Sequence, residues 1–242
     1  MDAAIIHSPT VVVHLWGVGL RGLPGSFLRM ATQRRMLRPA APQRIHGLRF
    51  AKLVGTGSGQ SFSVRDADPR HWGLITVWDD EADARVFEQG EVVTNWDRHS
   101  FERARFVLDP IHSRGAWGGR DPFAPGRKPE DPTIIAAITR ARVRTSAWRT
   151  FSSAVPPVAL AANESDGLLL STGIGEAPIG LQGTFSVWRD AMTLRSFAQG
   201  SAHQQVVDQT SSTGWYSEEL FATFSVRSAM GSFCHKSVDF PR

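Results

Sequence analysis

Apolar residues in this chain fall into short alternating or continuous runs, broken by polar turns and by a few stretches of helical spacing. Val11 to Val18 alternates around β-branched residues and reads as a strand. Leu23 to Arg35 follows as a helix, with Pro24 at its start and Phe27, Leu28, Met30 and Ala31 near helical spacing. Arg49 to Gly55 and His71 to Trp78 read as two strands joined through a polar hairpin from Thr56 to Arg70. Asp79, Asp80 and Glu81 place acidic residues at a helix N-terminus, where the macrodipole favours them. That helix runs toward Gly90 and on to His99. Phe101 to Ile111 then alternates as a fourth strand.

The second half repeats this order. Thr133 to Val143 is a strand, and Ser146 to Ala162 is a helix that Pro156-Pro157 is expected to break. Gly167 to Gly173 and Pro178 to Trp188 are strands. Asp190 to Thr210 is a helix interrupted near Gly200, and Glu219 to Arg227 is the last strand. Residue identities repeat as well. Trp78 and Trp188 stand 110 residues apart, each followed nine residues on by Phe (Phe87, Phe197) and three further by Gly (Gly90, Gly200). Gly55-Thr56-Gly57 is matched with Gly173-Ile174-Gly175, and Ser113 to Trp117 loosely with Ala229 to Phe233. A repeat of this length indicates two copies of one supersecondary unit.

The element order β-α-β-β-α-β is the ferredoxin-like split unit. Such a sheet has one face bare of helices, and two of them packed face to face cover each other. The expected fold is therefore α+β, with tandem ferredoxin-like repeats over 10–117 and 133–233 forming a pseudo-dimeric α+β barrel within one chain. The stretch 118–132, rich in Pro and Gly, is expected to be a linker.

Composition narrows the function little. The chain has 242 residues, 41% hydrophobic, enough for a sizeable core. Eight Trp and fourteen Phe against one Tyr suit a core or a lipophilic pocket. The net charge is +4. No basic run interleaves with aromatics, so nucleic acid is not an expected partner. Arg29, Arg34, Arg35 and Arg38 form the tightest basic cluster, read as a solvated helix face or as a contact with an anionic membrane surface. Cys234 is the only cysteine, which excludes an intramolecular disulfide and fits a cytoplasmic setting. No signal peptide and no membrane-spanning segment are expected.

Comparing the copies separates scaffold from candidate chemistry. Gly55-Thr56-Gly57-Ser58-Gly59 lacks both a following helix and a Lys-Ser/Thr end, so phosphate-loop and dinucleotide readings fail and a structural role remains. His203 lies three residues after Gly200, where the first copy has Val93. If helix resumes after Gly200, His203, Val206, Val207 and Thr210 share an apolar face. A neutral imidazole there suits a metal ligand or a core histidine bonded to a carbonyl. His99 is the runner-up ligand, and His14 shares a strand face with Val12 and Trp16. Cys234-His235 is expected in a polar tail, and Glu218-Glu219 reads as a solvated strand entry or as acid–base chemistry.

Several stretches are more specific. Ser171-Thr172-Gly173-Ile174-Gly175-Glu176-Ala177-Pro178, Gln182 to Trp188, Phe197-Ala198-x-Gly200-x-x-His203 and Gly214 to Phe224 resemble the bacterial spheroidene monooxygenase family of carotenoid biosynthesis. Phe50 to Gly57 and Ser113-Arg114-Gly115-x-Trp117-x-Gly119 add to this from the first copy. The resemblance implies a haem-dependent oxygenase that uses O2 and an external electron donor, such as a ferredoxin, to convert a methylene carbon beside a polyene to a ketone. It implies haem b, with His203 as proximal ligand; Phe185, Trp188 and Trp215 read either as lining its pocket or as ordinary core. A lipophilic small-molecule substrate, peripheral membrane contact and homo-oligomerisation are further expectations. Two other classes stay open: a non-catalytic barrel that carries haem or a lipophile, and a cofactor-free monooxygenase. Haem dehydration or N-oxidation on the same scaffold is a variant of the first reading.

Overall fold

A computed structural model describes residues 8–37, 45–60, 66–127, 134–176, 181–201 and 214–240. The first repeat runs β1 (Thr10–Val18), α1 (Leu23–Met36), β2 (Leu48–Gly57), β3 (Ala67–Trp78), α2 (Glu81–Glu88), α3 (Glu91–His99) and β4 (Ser100–Gly115). The second runs β5 (Ile135–Val143), α4 (Trp148–Asn163), β6 (Leu168–Gly175), β7 (Leu181–Trp188), α5 (Ala191–Gln199) and β8 (Tyr216–Phe233), closed by the short β9 (Lys236–Ser237). All strand pairs are antiparallel. Neighbours follow the order β4-β1-β3-β2-β6-β7-β5-β8, and β8 pairs back onto β4. The sheet is thus a closed eight-stranded barrel made of two ferredoxin-like halves, which removes the edges that an open sheet would expose.

The two seams differ. β2 meets β6 over three positions only, Gly55↔Gly175, Thr56↔Ile174 and Gly57↔Gly173. β4 and β8 pair along a long register from Ala104↔Gly231 to Gly115↔Leu220. Gly115 and Gly231 hold related places at the two ends of that seam, with φ of +91° and +94°. A Cβ on either would come within 2.2 Å of Glu219 O or 2.0 Å of Arg103 O, respectively. Only glycine fits there, which explains one pair of repeated residues.

The other repeated residues are also scaffold. Phe87 packs on Trp78 and Phe197 on Trp188, with ring centroids 5.1 and 5.0 Å apart. Asp80 and Asp190 cap the following helices, accepting from Ala82 N and Thr193 N. Gly90 and Gly200 donate to the Phe87 and Phe197 carbonyls at 2.9 and 3.0 Å. Gly90 separates α2 from α3, so the single helix expected from Asp79 to His99 is two. Strand register corrects one match: Val54↔Gly73 and Ile174↔Gly183 make Gly55 the counterpart of Gly175, not of Gly173.

α4 is continuous through Pro156 and Pro157. Both prolines are exposed, so the carbonyls they leave unbonded face water and the expected break does not occur. The stretch after Trp117 is irregular but packed: Phe123 is fully buried and meets Phe224 edge-on at 4.9 Å. Inward residues of both halves, among them Val13, Phe106, Ile138, Phe185 and Phe224, fill the barrel with one continuous core. The helices cover its outside.

Candidate active site

Register makes the two helix-facing sheet surfaces comparable residue by residue, because Trp78 pairs with Thr10 and Trp188 with Ile135. On the first strand of each repeat, His14 then corresponds to Thr139 and Trp16 to Ala141. On the third strand, Trp72 corresponds to Gln182 and Leu74 to Thr184; on the second, Leu53 corresponds to Gly173. The first repeat fills its helix–sheet layer with large side chains. Trp16 stacks on Trp96 and Trp96 leans on Trp72, with centroids 5.5 and 5.9 Å apart, and Val93 is buried among them. In the second repeat the same sheet positions carry small residues. Ala141, Thr139, Gln182 and Thr184 are only half-buried, and the Thr139 and Thr184 hydroxyls lie 2.7 Å apart. No residue of α5 is buried.

Aromatics stand at the two ends of this small-residue strip. Trp188 lies beside Ile135, donates to Ser186 Oγ at 2.9 Å and stacks on Phe197. Trp215 is buried at the far end, packed with Val143, Phe151 and Val155 of β5 and α4. Between them, Ala137 to Ala141 spans about 13 Å at the rise of a strand.

His203 lies outside the described residues. Its counterpart Val93 is fully buried on α3 and faces the sheet. His99 is exposed at the end of α3, and its Nδ1 is 2.8 Å from the Asn95 carbonyl. Phe185 points into the barrel, where it meets Phe106 edge-on at 5.2 Å. It therefore lies across the sheet from Trp188 and Trp215, and only the latter two share the helix-facing layer. Among the described residues no three His, Cys, Asp or Glu side chains converge as metal ligands. A haem iron needs only one such ligand.

Three polar networks were not evident in the sequence. Arg140, a buried cation inside the barrel mouth, bonds Glu218 and also Glu176, the latter at 3.0 Å. Glu176 takes Lys52 Nζ at 2.6 Å and Trp117 Nε1 at 2.7 Å. Burial alone would raise the Glu176 pKa, but these donors hold it below the usual carboxylate value. Glu218 is thus an ion-pair partner that also accepts from Gly119 N, while Glu219 is exposed. In the second network His71 is held between Asp68 and Glu102, at 2.6 and 2.8 Å. Glu102 also accepts from the Cys234 and His235 amides. Those two residues form a tight turn with positive φ rather than a loose tail, and burial raises the Cys234 thiol pKa. In the third, His14 Nε2 lies 3.0 Å from Glu88 Oε1, which Arg105 also binds at 2.6 Å. Burial pushes the His14 pKa down.

The arginine cluster divides. Arg29 lies over the Trp96 ring at 5.1 Å, Arg34 donates to the Glu176 carbonyl and Arg35 is exposed. Arg38 is outside the described residues. A pocket of about 1060 Å³ opens between the end of α1 and β2, with Lys52, Phe50, Trp117 and Arg120 in its lining. It contains none of the residues predicted to hold a cofactor.

The fold is an α+β barrel of the kind seen in solved aldoxime dehydratases. A solved aldoxime dehydratase superposes with a TM-score of 0.59 at 12% identity, covering 93% of this chain and 83% of that one. A second aldoxime dehydratase, co-crystallised with butyraldoxime, gives 0.56 at 12% identity over 93% and 81%. No protein-family model matches the chain. Sequence similarity is more specific. The spheroidene monooxygenase of Rhodobacter capsulatus is 34% identical over 224 residues, 90% of each chain. That of Rubrivivax gelatinosus is 34% identical over 179 residues, 74% of this chain and 68% of the relative. That of Cereibacter sphaeroides is 30% identical over 188 residues, 76% of this chain and 58% of the relative. The chain belongs to the spheroidene monooxygenase family and is an oxidoreductase of the monooxygenase class.

Proposed function

We propose that this chain is a haem-dependent monooxygenase that binds haem b over the helix-facing sheet surface of its second repeat. His203 is the proximal ligand. The substrate is a lipophilic polyene of the carotenoid type, oxidised with O2 and electrons from an external donor such as a ferredoxin. The observation that carries this reading is the loss of bulk between the repeats: Trp16, Trp72 and Leu74 in one become Ala141, Gln182 and Thr184 in the other. Ala141, Thr139, Gln182 and Thr184 are only half-buried, so the strip is sheet surface that an occupant would cover. A flat apolar group fits such a layer, and the position of His203 matches Val93, whose side chain fills the corresponding layer in the first repeat.

Bound haem supplies O2 activation, the chemistry that side chains lack. The chain's own residues do the rest. His203 would hold the iron. The Thr139 and Thr184 hydroxyls supply polar groups on the sheet side of the layer. Trp188 and Trp215 bound it with apolar surface and keep water out.

The test is to purify the protein after growth with a haem precursor and record its absorption spectrum. The expected result is a Soret band in the parent and in His99→Ala, and its loss in His203→Ala. Incubation with an acyclic carotenoid, reduced ferredoxin and isotopically labelled O2 should put label in the product. A colourless protein that still inserts oxygen would sink the haem assignment. Haem binding without oxygen insertion would leave a carrier.

A further inference from the structure

A helix packed on a sheet ordinarily turns its apolar residues inward. α1 divides its apolar residues between two faces: Met30 is buried and Leu23 packs with it on the core, while Phe27 and Leu28 face outward. Its buried residues are Ser26, Met30 and Gln33. Ser26 donates to the Gly22 carbonyl, and Gln33 accepts from Trp96 Nε1 at 2.8 Å, so its inner face is partly polar and satisfied. The outer face carries Pro24, Phe27, Leu28, Ala31 and Arg35, all exposed and at helical spacing, and exposed Leu20 in the turn before α1 adds to it. Leu20, Phe27 and Leu28 are 70%, 56% and 66% exposed. Single exposed apolar residues mean little, but a continuous stripe marks an interaction surface.

Charge identifies the partner. From Leu20 to Leu37 there are four arginines, Arg21, Arg29, Arg34 and Arg35, and no Asp or Glu. Arg21 and Arg35 are exposed at the two ends of the stripe. A two-fold contact with a second copy would bring cations to a surface already without acids, and like charges repel. An anionic lipid surface complements both features. No helix among the described residues is long and apolar enough to cross a membrane, so the contact would be peripheral.

We propose that α1 and the turn before it dock on an anionic bilayer. Leu20, Phe27 and Leu28 enter the boundary between headgroups and acyl chains, and Arg21 and Arg35 bind lipid phosphates. This goes beyond the haem chemistry and stands without it, because bilayer binding is read without turnover.

The experiment floats the full chain with vesicles of phosphatidylcholine alone or mixed with phosphatidylglycerol, at low and physiological ionic strength. The parent should float with the mixed vesicles and less so as salt rises. Leu20→Asp/Leu28→Asp should lower partition by roughly tenfold or more. Arg21→Glu/Arg35→Glu should abolish the preference for phosphatidylglycerol. Phe27 is left intact because it also packs edge-on against Trp72 at 5.2 Å, and circular dichroism checks that both variants fold. A parent that stays with neither vesicle, or variants that float like the parent, would overturn the proposal. So would self-association of the parent that the leucine variant abolishes, since the stripe would then be an interface between copies.

Discussion

Ala141→Trp puts back into the second repeat the side chain that the first repeat carries at Trp16. The outcome depends on whether the layer above Ala141 is spare volume or packed core. Trp16 is fully buried and stacks on Trp96, so Trp16→Ala should cost about 3–5 kcal/mol in haem-free protein. Ala141 is half-buried over a sheet of small residues. A Trp there can bury roughly 150–250 Å² of its own surface, with an upper bound of about 4–6 kcal/mol. Forced into a filled core instead, it would cost about 1–3 kcal/mol. The expected result is that Ala141→Trp is neutral or stabilising in urea denaturation of haem-free protein. With haem in this layer, as proposed, haem affinity should fall at least about a hundredfold, near 2.8 kcal/mol. Haem titration followed at the Soret band reads the second quantity. A variant destabilised like an overpacked core, or one that binds haem as the parent does, would refute the reasoning.

Arg140→Leu copies the residue of the first repeat, Leu15, yet should destabilise by about 3 kcal/mol in urea denaturation, because Glu176 and Glu218 lose their shared cation. Gly115→Ala and Gly231→Ala should each lower stability by about 1–3 kcal/mol, since both positive φ and the approach of a carbonyl forbid a Cβ; thermal melts unchanged from the parent would contradict this. Acid should weaken the fold. Burial alone would raise the Glu88 pKa, but contacts from His14 and Arg105 hold it at about 2, and Glu176 and Glu102 also lie below the ordinary 4.5. Such depressed carboxylates stabilise above pH 4.5 and lose that contribution as pH falls toward 2. His14, depressed below 6.5 by burial, adds a loss below pH 6.5. Urea midpoints at pH 7, 5.5, 4.5 and 3.5, values chosen to bracket these pKas, should fall progressively; a flat series would refute the assignment.

Strands and most helices were legible because their signals are local. Val11 to Val18 and the capping Asp80 act through neighbouring residues, whereas the break at Gly90 fell inside the single helix expected from Asp79 to His99. The Trp–Phe–Gly repeat was legible for the same reason, and its packing of Trp78 on Phe87 recurs as Trp188 on Phe197. The Pro156-Pro157 break was misjudged because helix tolerance there depends on which side faces water, a property of the assembled layer. The resemblance groups Phe185 with Trp188 and Trp215, but the strand separates them. Three residues along a strand from Trp188, Phe185 points to the opposite face, because side chains alternate across a strand.

By itself the sequence determined the α+β class, the duplication, the family and the histidine that one copy has and the other lacks. Those follow from periodicity and from residue identities at fixed spacing. Only the tertiary structure decided the rest. Pairing of β5 with β8 set Arg140 beside Glu218, and ring closure through β4 and β8 joined Glu102 to the Cys234 turn, across more than half the chain. Register across the barrel set Trp16 against Ala141 and exposed the unequal filling of the two layers. Packing on the sheet buried Met30 of α1 and left Phe27 and Leu28 exposed. Such contacts bring together residues far apart in the chain, and no local pattern carries information about which of them will meet.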